Sequence, residues 1–181
     1  MRGLTDTIAF VTGGASGIGR ASAQRLAEEG ATVVVTDVDI EGGKETAERI
    51  EDNGGTAEFH ELDVREYDQF DALLSETVDR HGSLDVLFNN AGVGEDNAFA
   101  ETTTDHRDRL IDINLKGVWN GCHAALEYMG ETGGGAIVNT SSMAGWMPAP
   151  ISTYAMTKAA VLHFTRSIAH ELGRHDIRVN A

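Results

Sequence analysis

Residues 152–160 read "STYAMTKAA" and set Tyr154 and Lys158 four positions apart. In a helix, side chains at i and i+4 lie on one face. A phenol held beside an ammonium is a proton-transfer pair. Free tyrosine loses its proton only near pH ~10. A cation within about 4–6 Å favours the phenolate and brings the loss toward neutral pH. A compact, rotatable ammonium can also serve a second hydrogen-bonding partner, which a rigid guanidinium does less well. The same spacing also describes an ordinary surface contact that contributes only about 0.2–0.5 kcal/mol. The residues that accompany the pair decide between these readings.

One accompaniment is the segment "VTGGASGIGRASAQRLAEEG", in which Gly13, Gly17 and Gly19 follow an apolar strand pattern and open a helical one. Glycines at such a turn let the backbone bend tightly and approach a pyrophosphate, while the next helix points its free N–H groups at the phosphates. No Gly-Lys-Ser/Thr follows, so the loop is not a P-loop. Asp37 ends the second strand pattern about 20 residues on, where an acid accepts hydrogen bonds from ribose hydroxyls and repels a 2′-phosphate. Position 16 is Ser and position 38 is Val, leaving Arg20 as the one nearby cation. NAD is therefore expected in preference to NADP. A strand-end aspartate capping the following helix is the structural alternative. Asp63 and Val64 stand where an adenine amino group would be received, and "NNAG" (89–92) ends the fourth strand pattern. Both also suit plain turns, which favour Asn, Asp and Gly.

These residues need a scaffold that brings strand ends together. Strand patterns occupy 7–12, 31–37, 57–63, 84–90, 135–141 and 177–181. Helical patterns lie between them at about 17–29, 40–53, 66–81, 104–129 and 153–173, and glycine or a capping residue punctuates most boundaries. Strand–helix alternation with near-continuous Val/Ile/Leu strands predicts a parallel sheet covered on both faces. With right-handed crossovers this becomes a doubly wound, three-layer α/β/α sheet ending at the sixth strand. No internal repeat or linker divides the chain, so residues 1–181 are expected to form a single dinucleotide-binding and catalytic domain.

At 181 residues the chain can bury a sizeable core, and its composition is ordinary for a globular protein. The net charge of −15 is not ordinary: 29 acidic residues stand against 14 basic ones, of which three are lysines. That balance opposes binding to nucleic acid and to anionic membranes. It suits either an acidic enzyme of the usual kind or one kept soluble in a high-salt interior. No apolar run reaches the length of a membrane span. The N-terminus lacks a signal-peptide core, and the single cysteine, Cys122, has no internal partner. A cytoplasmic location is expected on both counts. His163, His170 and His175 lack the spacing of a metal cluster, and no metal is expected. Trp146, Met147 and Pro148 follow "NTSS" and are candidates either for an apolar substrate pocket or for a loop covering the core.

Taken together, "TGGASGIG" (12–19), Asp37, "DV" (63–64), "NNAG" (89–92), "IDINLKG" (111–117), "IVNTSS" (137–142) and "YAMTK" (154–158) closely resemble the short-chain dehydrogenase/reductase family, in the family's own order. The resemblance implies a Rossmann-like fold and hydride transfer between a nicotinamide and an alcohol/carbonyl substrate. It makes Tyr154 the general acid/base, Lys158 its electrostatic partner and Ser142 the hydroxyl that polarises the substrate oxygen. Ser142, as the second serine of its doublet, is preferred over Ser141. Asn114 would support a water-linked proton path to Lys158. Cofactor contacts would fall on Gly13, Ser16, Gly17, Ile18, Gly19, Asp37, Asp63, Val64, Asn90, Ala91 and Gly92, with Tyr154 and Lys158 on the nicotinamide side. The loop from Ser142 to Tyr154 is one residue shorter than in many relatives. Relatives also continue past the sixth strand with a substrate lid, further helices and a last strand, and that region is absent from this sequence. Assembly as a homodimer or homotetramer through the helices near 104–129 and 153–173 follows from the resemblance alone.

Two functional classes remain in play. One is an NAD-dependent alcohol dehydrogenase or carbonyl reductase, including the 3-oxoacyl type. The other is a non-catalytic dinucleotide-binding redox sensor or assembly partner. A sugar-nucleotide epimerase shares Tyr and Lys but spaces its glycines differently.

Overall fold

The first strand, β1 (Ile8–Thr12), is buried at all five positions, and its alternation assigns the two faces of the sheet. Phe10 points into a core with Phe70, Leu74, Leu87 and Ile137, whereas Ala9 and Val11 point into a second core with Ala23, Val33, Val35 and Ile50. A strand buried on both sides cannot alternate apolar with polar, which is why "IAFVT" is nearly all apolar. The computed structural model describes residues 3–94 and 98–181.

The chain continues through α1 (Gly17–Glu28), β2 (Thr32–Asp37), α2 (Ile40–Asp52), β3 (Thr56–Glu61), α3 (Tyr67–His81) and β4 (Val86–Asn89). Then follow α4 (Thr104–Ile111), α5 (Gly117–Glu131), β5 (Gly135–Asn139), α6 (Ser152–Leu172) and β6 (Ile177–Asn180). All strand pairs are parallel, in the order β3-β2-β1-β4-β5-β6. Helices α1 and α2 cover one face, and α3, α5 and α6 the other. The expected doubly wound, three-layer sheet is thus the fold, with the order reversing between β1 and β4. The α1/α2 layer lies over β1 to β3, and Val138 of β5, on that same face, is 39% exposed. Among the described residues no helix is long and apolar enough to cross a membrane.

The predicted helix over 104–129 is a correction. It divides into α4, a π-helical turn over Asp112–Lys116, and α5. The widened turn carries Asn114, whose carboxamide is fully buried and bonds both ways to the backbone of Val93: Val93 N donates to Oδ1 at 2.8 Å and Nδ2 donates to Val93 O at 2.9 Å. Periodicity cannot anticipate this, because the partner lies 21 residues away in the β4–α4 connection. π-turns inside helices recur at functional sites.

Candidate active site

Parallel pairing aligns the carboxyl ends of the strands, and the register shows how closely: Thr12 stands opposite Thr36, Val11 opposite Phe88, and Asn89 opposite Asn139. The glycine loop, Asp37, Asn90 and the serines therefore emerge along one edge, where ligands bind in such sheets.

At the β1–α1 turn, Gly13 adopts φ +67°, and a Cβ there would lie 2.7 Å from Ala91 Cα. A Cβ on Gly19 would sit 2.0 Å from Gly13 O and 2.6 Å from Asn90 Nδ2. Above Gly17, by contrast, the space is open, and its φ of +52° favours glycine. Ser16 holds the N-cap position of α1 without giving its side chain to the helix amides. Ser16, Gly17 and Ile18 are exposed. Glycines thus close the loop against β4 on one side and leave a bare helix N-terminus on the other, a cradle that fits a pyrophosphate. Gly19→Ala is expected to lower stability by about 1–3 kcal/mol, a Tm about 3–10 °C lower at this chain length. Dinucleotide binding should weaken with it. Calorimetric melting with NADH titration measures both.

Thr12, which sequence reasoning passed over, joins this loop to β4. Its Oγ1 accepts from the N–H groups of Asn90 (3.0 Å) and Ala91 (3.1 Å) and donates to Phe88 O. Asn90 Nδ2 returns two bonds of 3.1 Å to the carbonyls of Thr12 and Gly13. The threonine before the glycines was the available signal.

Asp37 accepts from Ala15 N at 2.9 Å through Oδ2 and from Asp39 N at 3.0 Å through Oδ1. It does not cap α2; Asp39 does, accepting from Gly42 N. Asp63 accepts from Arg65 Nε and backbone N, and the guanidinium beside it holds its carboxyl below the usual range. The side chain of Val64 is buried, 2.6 Å from where a Cβ on Gly117 would lie. Its carbonyl accepts from Asn120 Nδ2 at 2.9 Å, which leaves its N–H for a ligand at the sheet edge.

The Tyr–Lys pair lies in the first two turns of α6. Lys158 is 2% exposed, with Nζ donating to Thr140 O at 2.8 Å and standing 5.7 Å from the centre of the Tyr154 ring. Burial pushes its ammonium down to about 8 from 10.5. A Cβ on Gly92 would lie 3.5 Å from Lys158 Nζ and 3.1 Å from Asn114 Oδ1, so Gly92 borders both groups closely. Thr157, also passed over, lies within 3.4 Å of Asn114 Nδ2 and donates to Tyr154 O, tying the π-turn to α6.

The two serines differ. Ser141 donates its hydroxyl proton to Lys158 O at 2.9 Å, fastening β5 to α6. Ser142 Oγ accepts from Ala144 N at 3.2 Å, which leaves its O–H proton for another acceptor. Trp146 is 66% exposed and does not cover the core; its ring lies 5.0 Å from the Arg166 guanidinium carbon.

The match to known proteins covers the same framework. The family model for short chain dehydrogenases matches residues 7–181. The mycobacterial oxidoreductase EphD (Mycobacterium tuberculosis) is 41% identical over 169 residues, 92% of this chain but only 28% of that protein. Levodione reductase of Leifsonia aquatica is 39% identical over 182 residues, covering 98% of this chain and 68% of that protein. A short-chain type dehydrogenase/reductase from Mycobacterium marinum superposes with a TM-score of 0.95 at 34% identity, over 99% of this chain and 74% of that one. A 7 alpha-hydroxysteroid dehydrogenase solved with NADH and 7-oxo glycochenodeoxycholic acid superposes at 0.92 with 31% identity, over 98% and 69%. With the glycine cradle, the strand-end acid and the buried lysine beside Tyr154 assembled on a six-stranded parallel sheet, this chain belongs to the short-chain dehydrogenase family.

Proposed function

We propose that the protein is an NAD-dependent oxidoreductase acting on a small alcohol/carbonyl substrate, with Tyr154 as general acid/base. A nicotinamide dinucleotide would be held at the sheet edge by the glycine loop, Asp37 and Asn90, and would supply the hydride chemistry of the alcohol/carbonyl interconversion. In the oxidative direction Tyr154 takes the hydroxyl proton as the C–H bond breaks; in the reductive direction it returns one. Lys158 keeps a positive charge beside the ring, so negative charge on the phenol oxygen is stabilised. Ser142 donates to the substrate oxygen, where charge develops. Asn114 and Thr157 hold the two elements in register, and a water-linked proton path from Lys158 past Asn114 is part of this reading.

The observation that carries this reading is the buried Lys158. Two per cent exposure is costly for an ammonium, and a surface Tyr–Lys contact has no need of it. The non-catalytic sensor is disfavoured because such a role gives no reason to bury that charge beside a phenol and a serine with its proton unassigned. NAD preference rests on Asp37, which holds a carboxylate where a 2′-phosphate would sit. The 3-oxoacyl type of carbonyl reductase remains within this class, and a homodimer or homotetramer remains the expected assembly.

The serines supply a direct test. Ser142→Ala is expected to lower kcat by about 10²-fold, with Tm falling by no more than a few degrees for the lost bond from Ala144 N. Ser141→Ala should lower Tm by a few degrees, at about 1 kcal/mol for one hydrogen bond, and leave most of kcat. Steady-state NADH formation over a panel of secondary alcohols reads the first, and melting reads the second. The reverse pattern would move the assignment to Ser141.

A further inference from the structure

Asp37 is only half of the arrangement around Ala15. Its carboxylate accepts from Ala15 N, while the Arg20 guanidinium donates to Ala15 O at 2.5 Å, so both groups stand against the same residue. Arg20 thus borders the same turn of the glycine loop that Asp37 holds. An arginine there would ordinarily answer a 2′-phosphate, since its planar fork matches phosphate oxygens. Here two of the three guanidinium nitrogens are already engaged. Nε donates to Thr46 Oγ1 at 3.0 Å, and Nη2, besides Ala15 O, meets Glu45 Oε2 at 2.9 Å with Gly42 O a longer, shared acceptor at 3.3 Å.

Among these partners Glu45 alone brings a charge. Its second oxygen accepts from Arg49 at 2.6 Å, so the carboxylate is held from both sides on the outer face of α2. Arg49, with Arg20, keeps the Glu45 carboxyl below the ordinary range, and it stays ionised at neutral pH. Thr46 reinforces the placement: its single hydroxyl proton lies between Gly14 O (3.0 Å) and Gly42 O (2.9 Å), which pins α2 against the glycine loop.

We infer that Glu45 is a cofactor-specificity residue: by holding Arg20 along α2 it withholds from the ribose site the one cation able to receive a 2′-phosphate. Selection against NADP then has two parts, repulsion by Asp37 and removal of the attractive partner. This rests on the proposed NAD-dependent function and adds to it a residue that touches neither cofactor nor substrate.

Binding measurements test it without turnover. NADH and NADPH are titrated by fluorescence and calorimetry against the unaltered protein, Glu45→Gln, Asp37→Ser, the double variant, and the double variant with Arg20→Gln. Melting curves report that each variant folds. Asp37→Ser alone should improve NADPH binding only modestly. The double variant should bind NADPH a further tenfold or so more tightly, the size of one charged phosphate contact. Adding Arg20→Gln should remove that gain, and 0.5 M KCl should shrink it. The inference is overturned if the double variant binds NADPH no better than Asp37→Ser, if the gain survives loss of Arg20, or if the unaltered protein binds both dinucleotides equally. Absence of NADH binding altogether would instead bring down the proposed function.

Discussion

Tyr154→Phe is expected to lower kcat by about 10²–10⁴-fold, the contribution of a positioned acid/base, with NADH affinity within a few-fold of the original. The change removes one oxygen from a half-buried ring in the first turn of α6 and leaves the aromatic packing in place. The glycine cradle, Thr12 and Asn90 lie at other strand ends and do not depend on that hydroxyl. Binding and catalysis should therefore separate cleanly. Initial rates with secondary alcohols, set beside NADH titration, measure the two. A variant that keeps more than a tenth of its turnover would remove Tyr154 from the chemistry, and with it the enzymatic reading.

Lys158→Met is expected to abolish most turnover while making the free protein more stable. The ammonium is buried and pushed down to about 8, against 10.5 for an ordinary lysine. That difference corresponds to about 3 kcal/mol of unfavourable burial. Loss of the bond to Thr140 O offsets part of the relief, at about 1–2 kcal/mol, leaving a net gain of about 1–2 kcal/mol. For a chain of this length Tm should rise by about 2–8 °C at pH 7.

The pH dependence has a definite sign. Between pH 8 and 10.5 the unfolded chain holds the lysine proton and the folded chain has released it, so the stability of the unaltered protein gains with rising pH across that window. The advantage of the methionine variant is therefore largest below pH 8 and fades above it. Calorimetric melting from pH 6 to 10 reads the difference directly. A methionine variant less stable than its parent at pH 7 would mean that the ammonium supports the fold. A site that costs stability to assemble fits a group retained for chemistry.

The sequence alone determined the fold class, because burial on both faces makes parallel strands uniformly apolar and leaves the helices amphipathic, a pattern readable one element at a time. It also located the glycine loop, Asp37 and the Tyr–Lys pair, since a tight strand-to-helix turn, a strand-end acid and a helix-face pair each show as particular residue types within a few positions of one another. Tertiary structure alone decided what depends on atoms meeting across distant segments. It turned Val64 inward against Gly117, and it broke the 104–129 helix so that Asn114 could reach Val93. It committed Ser141 rather than Ser142 to the Lys158 carbonyl and set Trp146 against Arg166. It tied Arg20 to Glu45, 25 residues away on the next helix. Hydrogen bonds act over about 3 Å, so local spacing proposes the groups, and only the folded register selects their partners.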